Sequence, residues 1–320
     1  MKIAFFSEST YDGKISRTFE NMRTEYAWYA ALDATHHWVG NLPGMDDAMY
    51  DLGIIIIPKT RIEELMKVTL TKEMKRVCKK IGFMQEGPHW YFQDYPMEHQ
   101  VWFYNTLSEM DIILAHNKQD VEYFKGLLNK KHIYQNKSLM IEDELKPTSK
   151  YKDRKGVIIG GNMCRWYGGF DSYVVAQQFE EEIYAPSMGR KKDDEVGMHN
   201  LTHLPYMNWV EWVNNLSNYK YAVHLMPTQA AGTFALNCAY HGIPCIGYKG
   251  LDTQELCFPQ LSVEMGDLKS ARELANKLKE DKTFYKFIST EAKNNYNAIF
   301  GEKHYIYSMN DIIKEVITNE

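Results

Sequence analysis

Gly232 and Thr233 are the residues whose type and position most clearly suggest chemistry. They lie in the segment Tyr221–Gly247 (YAVHLMPTQAAGTFALNCAYHGIPCIG), where an apolar run predicts a strand, the small residues after it a turn, and the run Phe234–His241 a helix. The two residues would therefore stand at the N-terminus of that helix. Free backbone N–H groups and the positive end of the helix dipole meet there, so the segment is predicted to bind an anion such as a phosphate.

A second set of reactive side chains follows the apolar run Ile81–Gln85, which predicts a buried strand. Glu86 and His89 come directly after it, and the Gly-Pro pair between them breaks the chain and exposes both. A carboxylate beside an imidazole can act as a general base near neutral pH, so these two residues are candidate catalysts. The alternative is an ordinary loop glutamate and a stacked histidine.

Other candidates in the first half of the chain have simple structural explanations beside the functional ones. Asp12 is a candidate catalyst and Lys14 lies near it, but Asp-Gly is also a common turn. His116 follows the predicted strand 112–115 and could equally be a core or helix-capping histidine. The aromatic residues of 90–95 could stack on a glycan or an extruded base, or could simply cover a core.

The run Arg61–Lys80 is predicted to form one long helix. From Lys59 to Lys80 the sequence has eight basic residues and three acidic ones. Such a face is usually solvated, and the alternative is contact with phosphates. No metal site is predicted, because there is no His/Cys cluster and Asp193-Asp194 lies in a charged run (KKDDE) that is predicted to be solvated.

Strands and helices alternate in the pattern of both halves of the chain. A polar stretch at 142–155 interrupts the alternation and is predicted to be a linker. We therefore expect an α/β protein of two Rossmann-like, doubly wound domains that face each other across a cleft, with ligands at the carboxyl ends of the strands. The predicted domains are residues 1–150 and 151–305, followed by a C-terminal helix at 306–320 that could return to the first domain.

Length and composition limit the class of protein. The chain has 320 residues, 44% of them hydrophobic, which is enough for two cores. Its net charge of −5 argues against a protein that binds polyanions over its whole surface. Five cysteines without a CxxC pair indicate reduced core thiols. No apolar run reaches the roughly 20 residues that span a bilayer, and the chain opens on a strand, so a cytoplasmic protein without a signal peptide is expected.

The second half of the sequence resembles the donor domain of GT-B glycosyltransferases, including those whose donor motif is E-x7-E. The resemblance covers most of residues 156–320. It rests on four segments: Val157–Asp171 (VIIGGNMCRWYGGFD), Pro205–Leu216 (PYMNWVEWVNNL), Thr228–Gly242, and Leu268–Glu280 with the terminal helices. The resemblance implies the GT-B fold, a nucleotide-sugar donor such as a UDP-sugar in the second domain, an acceptor in the first, and no metal requirement.

The resemblance also implies roles for residues of the donor site. Arg165 would clamp the diphosphate, for which its planar fork is suited, together with Gly232 and Thr233. The two positions of the E-x7-E motif hold Gln229 and Asn237, which would bind the sugar and the ribose. Amides can hydrogen-bond hydroxyls but cannot supply a negative charge. The alternative function is therefore a non-catalytic protein that binds sugar nucleotides, and a second alternative is a sugar-nucleotide epimerase of the same architecture.

The first half resembles bacteriophage glucosyltransferases that act on hydroxymethylated DNA bases. The residues that carry the resemblance are Gln85–Trp90 (QEGPHW) and Met110–Leu128 (MDIILAHNKQDVEYFKGLL). The resemblance implies that the acceptor is a hydroxymethylated base in phage DNA. The alternative acceptor is a glycan or a lipid.

Overall fold

The computed structural model of the chain describes residues 1–146, 148–186, 195 and 197–318. These residues form two compact units. The first unit comprises Met1–Phe19, Thr24–Ile141 and the chain from Glu302 onward. The second unit comprises Glu20–Arg23 and Glu142–Gly301. Each unit is built around a sheet of its own.

Seven strands form the sheet of the first unit and six form that of the second. In chain order they are β1 (Ile3–Ser7), β2 (Gly13–Lys14), β3 (Thr35–Trp38), β4 (Tyr50–Ile55), β5 (Cys78–Met84), β6 (Ile112–Ala115), β7 (Ile133–Gln135), β8 (Val157–Ile159), β9 (Ile183–Ala185), β10 (Leu201–His203), β11 (Tyr221–His224), β12 (Cys245–Tyr248) and β13 (Ser262–Val263).

Twelve α-helices are present in the described part of the chain. They are α1 (Thr24–Ala31), α2 (Ile62–Lys67), α3 (Leu70–Val77), α4 (Met97–Ser108), α5 (Lys118–Leu128), α6 (Gly169–Ala176), α7 (Trp209–Leu216), α8 (Thr233–His241), α9 (Asp252–Cys257), α10 (Leu268–Glu280), α11 (Lys282–Asn295) and α12 (Glu302–Thr318). None of these helices has both the length and the apolarity needed to cross a bilayer.

Both sheets have the strand order of a doubly wound fold. The order is β2-β3-β1-β4-β5-β6-β7 in the first unit and β10-β9-β8-β11-β12-β13 in the second. All neighbours pair in parallel except β2, which is antiparallel to β3. The order reverses between β1 and β4 in one sheet and between β8 and β11 in the other. Ligands of such sheets bind at the carboxyl ends of the strands beside this switch point.

The central strands were predictable because they are apolar on both faces. β1 (IAFFS) and β6 (IILA) are buried at every residue, as parallel strands covered by helices on both sides must be. The sequence pattern did not predict β2, β7, β10 and β13, which have only two or three residues. Each lies at the edge of its sheet, and so short a strand shows no periodicity.

The prediction of one long helix over Arg61–Lys80 was wrong. The structure has two short helices, α2 and α3, and the chain is already in strand β5 at Cys78. The break falls at Val68 and Thr69, and Thr69 has a left-handed backbone (φ 50°) that no continuous α-helix allows. Both residues are β-branched, which weakens a helix, while the flanking lysines and glutamates extended the helical pattern across the break.

The stretch 142–155, predicted to be a linker, belongs to the second unit. Arg154 is buried there, and its guanidinium donates to the carbonyl oxygens of His241 and Gly242 at distances of 2.7 and 3.3 Å. A cation at the C-terminal end of α8 complements the helix dipole. The stretch therefore helps to fix the helix that begins at Thr233.

The last helix, α12, belongs to the first unit. Arg17 binds both carboxylate oxygens of Glu302 at 2.7 and 2.9 Å, at the start of the helix. Further along, the hydroxyl of Tyr305, which is buried, donates to Oδ1 of Asn136 at 2.9 Å. The first unit is thus completed by residues that follow the whole of the second unit in the chain.

Candidate functional site

The loops that follow β8 and β11 meet at the switch point of the second unit. A Cβ atom on Gly168 would lie 1.8 Å from the carbonyl oxygen of Leu225, so the two loops are in backbone contact that only glycine permits. Gly168 also has a left-handed backbone (φ 62°), which costs other residues about 1–2 kcal/mol. The geometry of the two loops is therefore fixed at this residue.

Helix α8 begins where the second of these loops ends. Gly232 is its N-cap, with a left-handed backbone (φ 67°), and Thr233 is its first residue. The hydroxyl of Thr253 donates to the carbonyl oxygen of Gly232 at 2.8 Å and holds the turn. Because the N-cap residue is a glycine, it has no side chain to occupy the amides of the first turn. These amides can bind an anion in its place.

Asn237 lies one turn into α8. Its side chain is 3% exposed and makes no hydrogen bond within the described part of the chain. Gln229 is partly buried in the preceding loop, where its Nε2 would be 2.2 Å from a Cβ on Gly250. The structure thus places both amides of the motif around the N-terminal part of α8.

Arg165 lies in the loop after β8 and is exposed. Its guanidinium stacks over the ring of Trp166, 4.9 Å from the centroid, and forms no ion pair with any described residue. The predicted role of Arg165 as a diphosphate clamp, with a surface arginine as the alternative, stays a prediction.

Two polar side chains of this region were missed in the sequence analysis. His224 ends β11 and Asn162 follows β8, and each has a buried nitrogen atom that finds no hydrogen-bond partner in the described part of the chain. Burial lowers the pKa of His224 to about 4, so the imidazole is uncharged at neutral pH. The histidine was overlooked because it ends an otherwise apolar strand, where a single polar residue does not alter the pattern.

His89 of the first unit forms a close pair with Asp120. Nδ1 of His89 donates to Oδ1 of Asp120 at 2.7 Å, and the carboxylate is fully buried. The other oxygen, Oδ2, accepts from the backbone and side-chain nitrogens of Asn117 at 3.2 and 3.0 Å, as part of the capping box of α5. Because Asp120 holds the proton on Nδ1, Nε2 of His89 is left as a proton acceptor.

Glu86 and His89 line the same small cavity. Phenylalanine rings, among them Phe92 and Phe124, form part of its wall, and Lys59 contributes a cation. Nζ of Lys59 lies 3.8 Å from Oε2 of Glu86, whose side chain is half exposed. The structure therefore brings the two predicted catalysts together, and Lys59 and Asp120 are partners that their positions in the sequence did not reveal.

Asp12 does not line this cavity. Its carboxylate accepts from the backbone nitrogen of Trp38 at 3.2 Å and from Nδ2 of Asn41 at 2.9 Å, and Nδ1 of His37 lies at 3.2 Å. Lys14 pairs instead with Asp33 at 2.5 Å. The contacts of Asp12 fix the first loop against the residues around β3.

His116 follows β6 and is buried against Trp28, with the ring centroids 5.5 Å apart. Burial lowers its pKa to about 4, and Nδ1 has no partner within the described residues. Gln85 joins the loops after β5 and β6, because its Oε1 accepts from the backbone nitrogen of His116 at 3.0 Å and its Nε2 donates to the carbonyl oxygen of Gly87 at 2.9 Å.

No group of metal-ligating side chains occurs among the residues that the structure describes. Asp193-Asp194, which the sequence analysis considered, lies outside them.

The buried histidines predict how stability depends on pH. Burial lowers the pKa of His116, His224 and His241 to about 4, whereas in the unfolded chain these groups titrate near 6.5. Between these values the unfolded chain binds more protons, so the free energy of unfolding should fall as the pH falls from about 6.5 to about 4. We expect a loss on the order of 1–3 kcal/mol for each histidine.

Urea unfolding at pH 7.5, 5.5 and 4.5 would measure this dependence. Replacing exposed His304 with glutamine should leave it unchanged, and His241→Gln should reduce it. A free energy of unfolding that stays constant between pH 7.5 and 4.5 would contradict the prediction.

Comparison with solved structures identifies the fold of the chain. No protein-family model matches the sequence, and no curated protein does. Among solved structures, HepE from Anabaena in complex with UDP-glucose is similar with a TM-score of 0.72 and 10% identity, over 98% of this chain and 100% of that one. Sucrose-phosphate synthase from Thermosynechococcus elongatus has a TM-score of 0.69 and 9% identity, over 99% of both chains.

A third neighbour, TarM from S. aureus, is considerably longer. Its TM-score is 0.64 at 8% identity, over 82% of this chain, which spans only 54% of the length of TarM. These neighbours are GT-B glycosyltransferases. The chain therefore has the GT-B fold, and the predicted α/β architecture of two doubly wound domains is confirmed.

Proposed function

We propose that the protein is a glycosyltransferase that transfers a sugar from a nucleotide sugar, such as a UDP-sugar, to a hydroxyl group. The observation that carries the proposal is the N-terminus of α8 at the switch point of the second unit, where the N-cap Gly232 supplies no side chain to cap the amides of the first turn. Uncharged donors at a helix N-terminus suit a diphosphate. HepE, which shares the fold over its full length, was solved with UDP-glucose.

The positions of five residues at the switch point of the second unit support the donor roles in this proposal. The amides of Gly232 and Thr233 would bind the diphosphate, with Arg165 as its cation. Asn237, buried and without a hydrogen-bond partner among the described residues, has both a donor and an acceptor to offer the ribose hydroxyls. Gln229, in the loop before α8, would contact the sugar.

His89 is the general base in this proposal. Asp120 orients its ring and keeps Nε2 free to take the proton of the acceptor hydroxyl. Glu86 lines the same cavity and is the alternative base, while Lys59 beside it lies 3.4 Å above the ring of Tyr91. No metal enters this scheme. Asp12 remains a weaker catalytic candidate, since its carboxylate already accepts hydrogen bonds from its loop.

Two classes of acceptor are proposed. A hydroxymethylated base in phage DNA is the class that the first half of the sequence suggests, and a glycan or a lipid is the alternative. Duplex-DNA binding that weakens steeply with salt would favour the first class, because contacts with phosphates release counterions. Absence of such binding would leave the glycan or lipid.

Nucleotide binding is the first test of the proposal. UDP at 100 times its Kd is expected to stabilise the protein by about 2.7 kcal/mol, which corresponds to a rise in Tm of about 5 °C. A thermal-shift series with UDP, ADP, GDP and dTDP, each compared with its nucleoside, would measure this. If none of the diphosphates raised the Tm more than its nucleoside, the proposal would be refuted.

A non-catalytic sugar-nucleotide-binding protein is the second candidate. It is favoured by one observation, which is that both positions of the acidic donor motif hold amides, Gln229 and Asn237. Incubation with UDP-glucose distinguishes the candidates, since a transferase releases UDP in the presence of a suitable acceptor or slowly to water. An epimerase would convert the donor without any acceptor.

A further inference from the structure

Two buried nitrogen atoms at the switch point of the second unit have no role in the scheme above. They are Nε2 of His224 and Nδ2 of Asn162, neither of which has a hydrogen-bond partner within the described residues. The two side chains are only 7% and 8% exposed. An unpaired buried polar group costs about 1–3 kcal/mol, and a binding site is one setting in which a ligand offsets that cost.

Strand topology places the two side chains at the same edge of the sheet. β8 and β11 are parallel neighbours, His224 is the last residue of β11, and Asn162 comes three residues after the end of β8. A Cβ atom on Gly160 would lie 2.5 Å from Cδ2 of His224. The glycine therefore leaves the space that the imidazole occupies between the two strand ends.

The imidazole also adjoins the start of α8. Its ring centroid is 4.9 Å from that of Phe234, the second residue of the helix. The unpartnered nitrogen of His224 and the open amides of the first turn thus belong to one place in the fold. The helix terminus and the buried imidazole are therefore independent observations that indicate a ligand beside the end of β11.

The chemistry of these groups selects an anionic partner. Nδ2 of Asn162 and the backbone amides can only donate, and an uncharged imidazole can present an N–H on Nε2. Several N–H donors without acceptors match the oxygens of a phosphate, which can only accept when ionised. Because the donors carry no charge, they can be buried at much lower cost than a lysine or an arginine.

We propose that His224 and Asn162 bind the phosphate that is bonded to the sugar and stabilise it as the leaving group. The inference rests on the proposed function. In the transfer, the bond between C1 of the sugar and the phosphate oxygen breaks, and its electron pair stays on that oxygen. The acceptor oxygen forms the new bond to C1, and its proton passes to the base. The N–H groups stabilise the charge that develops on the phosphate.

Calorimetric binding of UDP and UMP tests this assignment. The wild-type protein should bind UDP more tightly than UMP. We expect His224→Leu and Asn162→Leu to lower the affinity for UDP about 10- to 100-fold and to leave UMP within about twofold, because UMP lacks the second phosphate. His224→Gln restores an N–H donor and should recover most of the affinity. His304→Gln, at an exposed position of α12, is the matched control.

Several outcomes would overturn the assignment. Equal losses of affinity for UDP and UMP in His224→Leu would mean that His224 only supports the fold. The same would follow if His224→Gln bound UDP no more tightly than His224→Leu. If His224→Leu does not fold, Asn162→Asp decides, since a carboxylate there should repel the second phosphate and weaken UDP alone. Wild-type protein that binds none of the nucleoside diphosphates would refute the proposed function itself, whereas unchanged UDP affinity in the variants refutes only this inference.

Discussion

Replacing His89 with glutamine is expected to lower kcat for sugar transfer about 10²–10⁴-fold, which is the usual contribution of a general base. The affinity for UDP should not change, because the cavity of His89 lies in the first unit and the donor site is proposed in the second. Initial rates with UDP-glucose and an acceptor, together with UDP calorimetry, would separate the two effects. His304→Gln is again the matched control, as it makes the same change at an exposed position of α12.

Asp120 should act through His89. Asp120→Asn can present an N–H to Nδ1, which would move the imidazole proton to Nε2 and remove the acceptor. We therefore expect a loss of kcat with little change in KM, and no further loss when His89→Gln is added, because residues that act as a unit are not additive. Additive losses would contradict the pairing. A His89→Gln enzyme with wild-type kcat would exclude His89 as the base and leave Glu86.

Replacing Gly232 with alanine is expected to weaken UDP binding about 10- to 100-fold, which corresponds to about 1.4–2.8 kcal/mol. The added Cβ would lie 2.1 Å from Oγ1 of Thr253, and the left-handed backbone is strained for alanine. Both effects displace the amides at the start of α8. Calorimetry with UDP and urea unfolding of the same variant would measure the loss of affinity and of stability.

Gly266 provides the control for backbone strain alone. It also has a left-handed backbone (φ 83°), but a Cβ there would meet nothing within 4 Å. Gly266→Ala should therefore cost about 1 kcal/mol of stability and leave UDP binding unchanged. Thr253→Ala removes the colliding atom, so the double variant with Gly232→Ala should be more stable than the sum of the single changes predicts. Wild-type UDP affinity in Gly232→Ala would exclude a diphosphate at this helix terminus.

The sequence was informative wherever burial or chain reversal imposes a residue type. Fully buried strands such as β6 need apolar runs, and the turn before α8 needs small residues and a glycine with a left-handed backbone. For this reason the two-domain α/β architecture and the position of Gly232 could be predicted. The break between α2 and α3 could not, since a single left-handed threonine leaves the helical pattern around it intact.

The partners within the candidate sites depend on tertiary structure and could not be read from spacing. His89 and Asp120 are 31 residues apart, and they meet because the loop after β5 and the start of α5 lie at the same edge of the sheet. His224 and Asn162 are separated by 62 positions and share an edge only because β8 and β11 are neighbours. The local sequence does not reveal which buried side chains will lack a hydrogen-bond partner in the folded protein.

The position of α12 has a consequence for synthesis on the ribosome. The first unit cannot be completed until α12, a helix of 17 residues, has been synthesised, and α12 is synthesised only after the second unit. Domains that are contiguous in the chain generally mature in the order of their translation. Here the order should be inverted, and the second unit should fold first. Until α12 has been made, the surface of the first unit that α12 covers stays exposed, and chaperones are expected to bind there.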